Sequence, residues 1–168
     1  MKHGKGINMD VNLLSKRFGV RRLDRNDVEI IYDMNCQNKI YYEYHPPFVT
    51  RESIIEDMKA LPPQKNYDDK YYIGFFEDNL LVANMDLILE YPTEGIAFIG
   101  FFMTNVQYQN KGIGSNIIRE VCNYLKQLGY KKVRLGVDKG NPQSFAFWSK
   151  NEFYVVSENE YIVMELVL

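Results

Sequence analysis

The spacing of apolar residues changes abruptly at Gly112, and this change constrains the fold more than any other feature of the sequence. Before it, three strand-like segments follow one another with short turns between them, at residues 71–77, 80–90 and 96–104. After it, apolar side chains recur every fourth residue, at Ile113, Ile117, Val121 and Leu125. This period is typical of an amphipathic helix, and Gly129 ends it. The sequence therefore predicts an antiparallel meander that leads into one long helix.

Shorter elements surround this centre. We expect further strands at residues 18–23, 132–137, 153–156 and 161–168, and further helices at 24–36, 51–60 and 142–151. Residues 37–50 are rich in aromatic side chains, and Pro46-Pro47 should end any helix there, so this segment is expected to be an aromatic loop. The element order predicts an α/β fold with a mixed, predominantly antiparallel central sheet of about seven strands flanked by helices.

The composition fits one ordinary globular domain. The chain has 168 residues, and we expect a single domain over residues 1–168 with a flexible N-terminal extension at residues 1–16. It has no apolar run of 18 residues, and its first ten residues lack the apolar stretch of a signal peptide, so a cytoplasmic protein without a membrane partner is expected. Cys36 and Cys122 are far apart and only two histidines accompany them, which predicts reduced thiols and no metal.

Charge is distributed unevenly along the chain. Residues 107–150 contain eight Lys or Arg and two Asp or Glu, whereas the segments on either side are net acidic. The formal net charge of −2 argues against a nucleic-acid partner. The basic segment favours binding of one compact polyanion and the acidic remainder favours a cationic second substrate, although solvated helix faces would give the same pattern.

The segment from Gln109 to Ser115 follows a strand and opens the longest helix. Its glycines allow a ligand to approach the backbone, the first N–H groups of a helix lack internal partners, and Lys111 adds positive charge. These features favour phosphate binding, although an ordinary tight strand-to-helix turn has the same composition. The spacing does not match a Walker A loop, and the dinucleotide fingerprint requires glycine where this chain has Ile117.

The same turn resembles the acetyl-CoA motif of the GNAT N-acetyltransferase superfamily, Q/R-x-x-G-x-G/A, through Gln109, Gly112 and Gly114. Downstream, residues 141–153 are similar to the N-x-x-A-x-x-F-Y/W-x-K-x-G-F segment of that family. With the element order included, the resemblance covers roughly residues 17–168. It implies the GNAT acyl-CoA N-acyltransferase fold, in which two central strands splay apart and the pantetheine arm lies between them.

The resemblance also implies acetyl-CoA as cosubstrate, with no metal. The end of the fourth strand would contact the pantetheine and the thioester, and the glycine turn would hold the pyrophosphate. Asn141 is equally suited to cap the helix that follows it, and the two roles are compatible. The residues implied to bind acetyl-CoA are Phe102, Met103, Thr104, Gln109, Asn110, Lys111, Gly112, Ile113, Gly114, Ser115, Asn141, Ser144 and Trp148.

Two positions depart from the family pattern. Trp148 stands where most relatives have a tyrosine that protonates the departing thiolate, and an indole N–H is not a usable acid. The alternative role of Trp148 is that of a packed aromatic residue on an amphipathic helix. Glu152 replaces the usual glycine.

No ionisable residue lies on the fourth strand, where many relatives carry a glutamate. On the preceding strand, Asp86 and Glu90 share one face, which makes them the candidates for accepting the proton of an amine; a solvated sheet edge would also explain Asp86. Relatives place a wall of the acceptor cleft where this chain has Tyr41, Tyr42, Glu43, Tyr44 and His45. This resemblance would make Tyr41, Tyr42 and Glu43 substrate-binding residues. An aromatic lid that only packs would have the same composition.

The resemblance implies an acetyl-CoA-dependent N-acetyltransferase that transfers the acetyl group by direct attack of a primary amine. No covalent intermediate is expected, because Cys122 lies within the long helix beside core positions. The acceptor would be a small-molecule or peptide amine, and family habit favours a homodimer. The alternative is a catalytically inactive CoA-binding sensor or interaction module on the same fold, which the tryptophan at position 148 would explain.

Overall fold

The computed structural model describes residues 8–168, and within this range five α-helices flank one seven-stranded sheet. The helices are α1 (Val28–Asn35), α2 (Lys39–Tyr44), α3 (Arg51–Lys59), α4 (Ile113–Gln127) and α5 (Pro142–Lys150). The strands are β1 (Gly19–Arg22), β2 (Lys70–Glu77), β3 (Leu80–Leu89), β4 (Ile96–Thr104), β5 (Lys132–Asp138), β6 (Tyr154–Glu158) and β7 (Tyr161–Val167). The predicted fold class is confirmed.

The sheet has the strand order β1-β2-β3-β4-β5-β7-β6, and all neighbouring pairs are antiparallel except β4 and β5. These two parallel strands pair only over residues 96–99 of β4 and 132–135 of β5. Beyond Ile99 the register of β4 against β3 shifts by one residue, which leaves Gly100 as an extra residue in β4. A β-bulge bends its strand, so this bulge accounts for the separation of β4 from β5 at that point.

Two hydrophobic clusters cover the two faces of the sheet. On one face, α4 packs its apolar stripe against the central strands, with Ile117, Leu125 and Leu135 fully buried. On the other face, α1 and α3 cover the sheet through Ile31 and Ile54. The alternation of side chains along β3 assigns Met85 and Leu87 to the α4 face and turns Asp86 towards the opposite face.

Two expectations from the sequence need correction. Residues 1–7 of the predicted flexible extension lie outside the described residues. Further along the extension, Met9 and Leu14 are buried in the hydrophobic cluster on the α4 face of the sheet, so the segment that contains them belongs to the packed domain. The predicted aromatic loop contains α2, which ends before Pro46-Pro47 as the prolines require. Tertiary contacts stabilise this short helix, since the Tyr41 ring packs edge-on against Phe101 of β4 with 5.7 Å between centroids.

Within residues 8–168, none of the helices combines the length and apolar character needed to cross a bilayer.

Candidate active site

The separation of β4 and β5 opens two adjoining cavities. The first cavity, of about 380 Å³, extends from the end of β4 to the start of α4 and the first turns of α5. The second cavity, of about 230 Å³, lies between the diverging strands themselves, beside Gly100 and Gly136. Four residues line both cavities and therefore mark the place where they meet: Tyr41, Phe102, Ser144 and Trp148.

Packed aromatic rings form the wall at this meeting point. Trp148 is only 6% exposed, and its ring contacts Phe147, Phe153 and Phe102 at centroid distances of 4.9, 5.1 and 6.0 Å. This arrangement matches the expected packed aromatic residue. Because the ring is fixed on three sides, Trp148 presents a rigid apolar surface to both cavities.

The N-terminus of α4 opens into the first cavity. Gly112 precedes the helix with a φ of +76°, a left-handed conformation that glycine adopts without strain. Among the described residues, no side chain caps this helix end. The first N–H groups of α4 and its helix dipole are therefore available to an anion in the cavity.

Gly114 has a different role, because α4 approaches α5 closely at this position. A Cβ atom on Gly114 would lie 3.2 Å from the ring of Phe147 and 3.4 Å from Thr104 Cγ2. The contact with Phe147 is tight and that with Thr104 is an ordinary van der Waals contact, so a larger side chain would displace Phe147 or fill the cavity. The glycine therefore keeps the floor of the cavity open.

The side chain of Gln109 forms hydrogen bonds within the protein. Its Nε2 donates hydrogen bonds to Asn38 Oδ1 (2.7 Å) and to the carbonyl oxygen of Thr104 (3.1 Å), and Asn38 Nδ2 donates to the same carbonyl. This network ties the segment between α1 and α2 to the end of β4 and fixes one rim of the first cavity. Nothing in the sequence indicated Asn38, since it lies 71 residues from its partner.

Most of the residues predicted to bind acetyl-CoA line the first cavity. Lys111 is exposed outside the lining, and the side chain of Ile113 is buried in the core, so the structure does not bring these two side chains into the site. The predicted residues that line it are Phe102, Met103, Thr104, Gln109, Asn110, Gly112, Gly114, Ser115, Asn141, Ser144 and Trp148. Sequence reasoning missed the lining residues Asn38, Tyr108, Gln143, Ala146, Phe147 and Lys150.

Asn141 is the N-cap of α5. Its Oδ1 accepts a hydrogen bond from the backbone N–H of Ser144 at 3.1 Å, and Pro142 occupies the first helical position. The capping role expected from the sequence is therefore confirmed. The residue also lines the first cavity, so the cap positions the start of α5 at the site.

Asp86 lies behind the second cavity. Its Oδ2 accepts a hydrogen bond from Lys70 Nζ at 2.8 Å, and the two side chains are 15% and 3% exposed. A Cβ atom on Gly100 would lie 3.3 Å from the same oxygen, which places the carboxylate against the bulge in β4. Burial raises the pKa of Asp86 above its usual range, and Lys70 lowers it in part. Asp86 lines neither cavity, so the structure makes it an ion-pair partner beside the site.

Glu90 is outside the site. It follows β3 with a positive φ, and its carboxylate accepts a hydrogen bond from the backbone N–H of Gly95 across the β3–β4 turn. This turn is at the opposite end of β4 from Thr104, so the role predicted for Glu90 as a proton acceptor needs correction.

Of the residues predicted to bind the substrate, Tyr41 lines both cavities. Burial raises the pKa of Tyr41, and the negative charge of Asp138 raises it further, so the phenol stays protonated. Tyr42 packs on Phe48, and burial raises its pKa to about 12. Glu43 is exposed and lines neither cavity, so the structure does not bring it into the site.

His45, which was expected only as part of the cleft wall, meets Asp138 at the second cavity, and Asp138 was not predicted as a site residue. His45 Nδ1 lies 2.9 Å from Asp138 Oδ1 and 3.1 Å from Asp138 Oδ2, across 93 residues of sequence. Both residues line the second cavity. The aromatic composition around His45 indicated a cleft wall, but no local pattern connected it with the end of β5.

The described residues offer no competing chemistry at this site. Cys122 is buried in α4, and burial raises the pKa of its thiol to about 12, which removes it as a nucleophile. Within residues 8–168, no three His, Cys, Asp or Glu side chains are grouped so as to hold a metal ion.

Residues 36–153, well over half of the chain, match the model of a family described as Acetyltransferase (GNAT) family. The comparison with curated proteins gives no match. The comparison with solved structures finds the same fold in several acetyltransferases.

The PaiA N-acetyltransferase of Thermoplasma acidophilum in complex with coenzyme A has a TM-score of 0.69 and 22% identity, over 90% of this chain and 99% of that one. An acetyltransferase from Thermus thermophilus has a TM-score of 0.78 and 16% identity, over 93% and 99% of the two chains. The spermidine N-acetyltransferase of Vibrio cholerae, in complex with CoA and spermine, has a TM-score of 0.65 and 17% identity, over 91% and 96%. These likenesses establish a shared fold.

Proposed function

Because the chain belongs to the GNAT acetyltransferase family, we propose that it transfers the acetyl group of acetyl-CoA to a primary amine by direct attack within a ternary complex. The observation that carries this proposal is the divergence of β4 and β5 beyond Ile99, which opens a continuous space onto the uncapped N-terminus of α4. One end of this space suits an anion, and the other lies between two strand edges.

The chemistry of the first cavity supports acetyl-CoA as the acyl donor. The free N–H groups and dipole of α4 would bind the pyrophosphate, and Lys150 adds positive charge to the lining. The unpaired edge of β4 near Met103 offers backbone groups to the pantetheine amides. Two of the proteins with this fold were solved with CoA bound, which supports the same donor here.

The reaction would take place where the two cavities meet. The thioester would lie against Trp148 and Phe102, and the amine would reach it through the second cavity. Trp148 would exclude water and fix the acyl group, but its indole would donate no proton to the thiolate. With Cys122 protonated and buried, the described residues offer no cysteine nucleophile at the site, which supports direct attack over an acyl-enzyme route.

The acceptor would be a small molecule or the flexible end of a peptide. The second cavity is about 230 Å³, is walled by aromatic rings and contains the carboxylate of Asp138. These features favour a slender amine that carries positive charge before it reacts. Polyamines belong in the first panel, because a protein with the same fold is a spermidine N-acetyltransferase solved with spermine.

Two measurements test the proposal. Calorimetry should detect binding of acetyl-CoA to the purified chain, and a thiol-specific reagent should detect release of CoA when an amine is added. The panel should contain spermidine, spermine, amino acids and short peptides with free N-termini. Binding without CoA release with any amine would support the inactive sensor, and the absence of binding would refute both functions.

A further inference from the structure

We propose that His45, oriented by Asp138, accepts the proton of the acceptor amine. This inference rests on the proposed function and adds the residue that performs the proton transfer. It starts from the ionisable side chains that line the two cavities in the described part of the chain: Tyr41, His45, Tyr108, Asp138, Lys150 and Tyr161. Phenols and ammonium groups are protonated at neutral pH, which leaves the imidazole and the carboxylate as candidates.

The geometry distinguishes between these two groups. Asp138 ends β5 and its side chain is 16% exposed, whereas the side chain of His45, which lines the same second cavity, is 44% exposed. Both carboxylate oxygens of Asp138 lie within 3.1 Å of the same imidazole nitrogen, Nδ1. Asp138 is therefore occupied by Nδ1 of His45, and Nε2 is the imidazole nitrogen that does not contact the carboxylate.

The contact also selects the tautomer of His45. A carboxylate accepts a hydrogen from Nδ1–H, so Nε2 of the neutral ring keeps its lone pair and can accept a proton. Once Nε2 is protonated, the negative charge of Asp138 stabilises the imidazolium. Asp138 is thus a positioning residue, and His45 is the group that would touch the substrate.

The proton and electron balance is complete with the two substrates. His45 takes one proton from the ammonium form of the acceptor and later releases it to water. The amine lone pair then forms the C–N bond to the acetyl carbon, and the C–S bond breaks with its electron pair on sulfur. A second N–H proton passes to the sulfur, so the products are the acetylated amine and CoA as the thiol.

Other titratable groups lie near His45 in the described part of the chain. Asp57 of α3 interacts electrostatically with His45, and the pKa of Asp57 is raised by burial and by the charge of Asp86. Tyr41 stacks beside His45 on α2 with 5.4 Å between ring centroids. Tyr161 of β7 lines the same cavity.

A purely structural role makes a different prediction, because the pair also ties α2 to the end of β5. His45→Asn separates the two roles. The Asn amide nitrogen can take the place of Nδ1 and keep the hydrogen bond to Asp138, but nothing replaces Nε2. A structural tie predicts normal activity for this variant, and proton transfer predicts its loss.

The first test needs no acceptor. The sequence contains two histidines, so a His3→Gln background leaves His45 as the one imidazole for 15N NMR. In the neutral form of the ring we expect the hydrogen on Nδ1, and a shift towards the Nε2–H tautomer in Asp138→Asn. A neutral ring with its hydrogen on Nε2 in the parent, or a tautomer unaffected by Asp138→Asn, would overturn the proposal.

The second test is a pH profile of kcat/KM with the best amine of the panel. His45→Asn and Asp138→Asn should lower kcat/KM by about a hundredfold or more at pH 7, and the deficit should shrink towards pH 10 as free amine accumulates. Affinity for acetyl-CoA, measured by calorimetry, should stay within about threefold and confirm that both variants are folded.

The outcomes separate this role from the proposed function. If the parent chain releases CoA and His45→Asn keeps kcat/KM within threefold at pH 7, the role of His45 is refuted and the acetyltransferase function stands. If His45→Asn does not bind acetyl-CoA, Asp138→Asn becomes the deciding variant. The role of His45 is then refuted if Asp138→Asn keeps kcat/KM within threefold at pH 7. If the parent releases no CoA with any amine, both proposals fail.

Discussion

Replacement of Lys70 by methionine tests the ion pair beside the site. Lys70 Nζ lies 2.8 Å from Asp86 Oδ2, and the two side chains are almost removed from solvent. Methionine has a similar length and no charge, so Lys70→Met leaves the carboxylate of Asp86 without its cation. Its other oxygen, Oδ1, is buried without a hydrogen-bond partner among the described residues.

The size of the effect follows from the distance and the burial. Two unit charges 2.8 Å apart attract by about 6 kcal/mol at an effective dielectric constant of about 20. Part of this attraction only offsets the cost of removing both ions from water, and the loss of one partner of a buried pair typically costs about 3–5 kcal/mol. Because Asp86 keeps some exposure, we expect Lys70→Met to lower the free energy of unfolding by about 3 kcal/mol at pH 7. For a chain of this length, that corresponds to a Tm lower by about 6–12 °C.

The loss should depend on pH. Burial already raises the pKa of Asp86, and Lys70 lowers it in part, so removal of Lys70 raises the pKa further. When the pKa of a carboxyl group is higher in the folded than in the unfolded chain, ionisation of that group favours unfolding. The free energy of unfolding therefore falls as pH rises from about 4 through the folded-state pKa. The difference between parent and Lys70→Met should therefore shrink as pH falls from 7 towards 4, because Asp86 becomes neutral.

Urea unfolding followed by the fluorescence of Trp148, the one tryptophan of the chain, measures these changes. The double variant Lys70→Met/Asp86→Asn is the matched control, and it should recover more than half of the loss. Equal stability of parent and Lys70→Met at pH 7 would refute the reasoning. A stable Asp86→Asn variant that binds acetyl-CoA but has lost a hundredfold or more in kcat/KM would return Asp86 to the role of proton acceptor.

Further predictions concern the first cavity and the packing around it. Gly114→Leu should weaken binding of acetyl-CoA at least tenfold in calorimetry, because its side chain would displace Phe147 or occupy the cavity; unchanged affinity in a folded variant would contradict this. Trp148→Phe should keep kcat within about tenfold, and a thousandfold fall with unchanged acetyl-CoA affinity would show that the indole does more than pack. Asn141→Ala should cost about 1 kcal/mol in urea unfolding through loss of the α5 cap, and an unchanged midpoint would argue against that cap. Cys122 should resist thiol reagents at pH 8 until the chain unfolds, and rapid modification of the native protein would contradict its burial.

The parts of the site that the sequence predicted are those built from neighbouring residues. The turn that ends at Gly112 and the Asn141 cap each depend on the conformation of a few consecutive residues, so their composition was enough to identify them. The long helix followed in the same way from the period of its apolar side chains. Helix α2 was missed because it has only six residues and packs against Phe101 of a distant strand, and the local sequence indicated only the prolines that follow it.

Strand alternation had a more limited value. It correctly assigned Asp86 and Met85 to opposite faces of β3, because alternation is a property of the extended backbone itself. It could not show that Lys70 of the neighbouring strand lies within hydrogen-bond distance of Asp86, since that contact depends on the register between β2 and β3. Alternation also placed Glu90 on the face of Asp86, but it could not show that the Glu90 carboxylate accepts a hydrogen bond from the backbone of Gly95 within the β3–β4 turn.

The sequence by itself determined the order of the strands and of the helices other than α2, the glycine turn before α4 and the cap of α5, because each is encoded by residues within a few positions of one another. Only the tertiary structure decided which side chains meet at the two cavities. The bulge at Gly100 separates β4 from β5, and the packing of α2 on β4 brings His45 to Asp138 across 93 residues. Contacts at such separations are set by the register of strands and by the packing of helices on them, and no local pattern of residues specifies either.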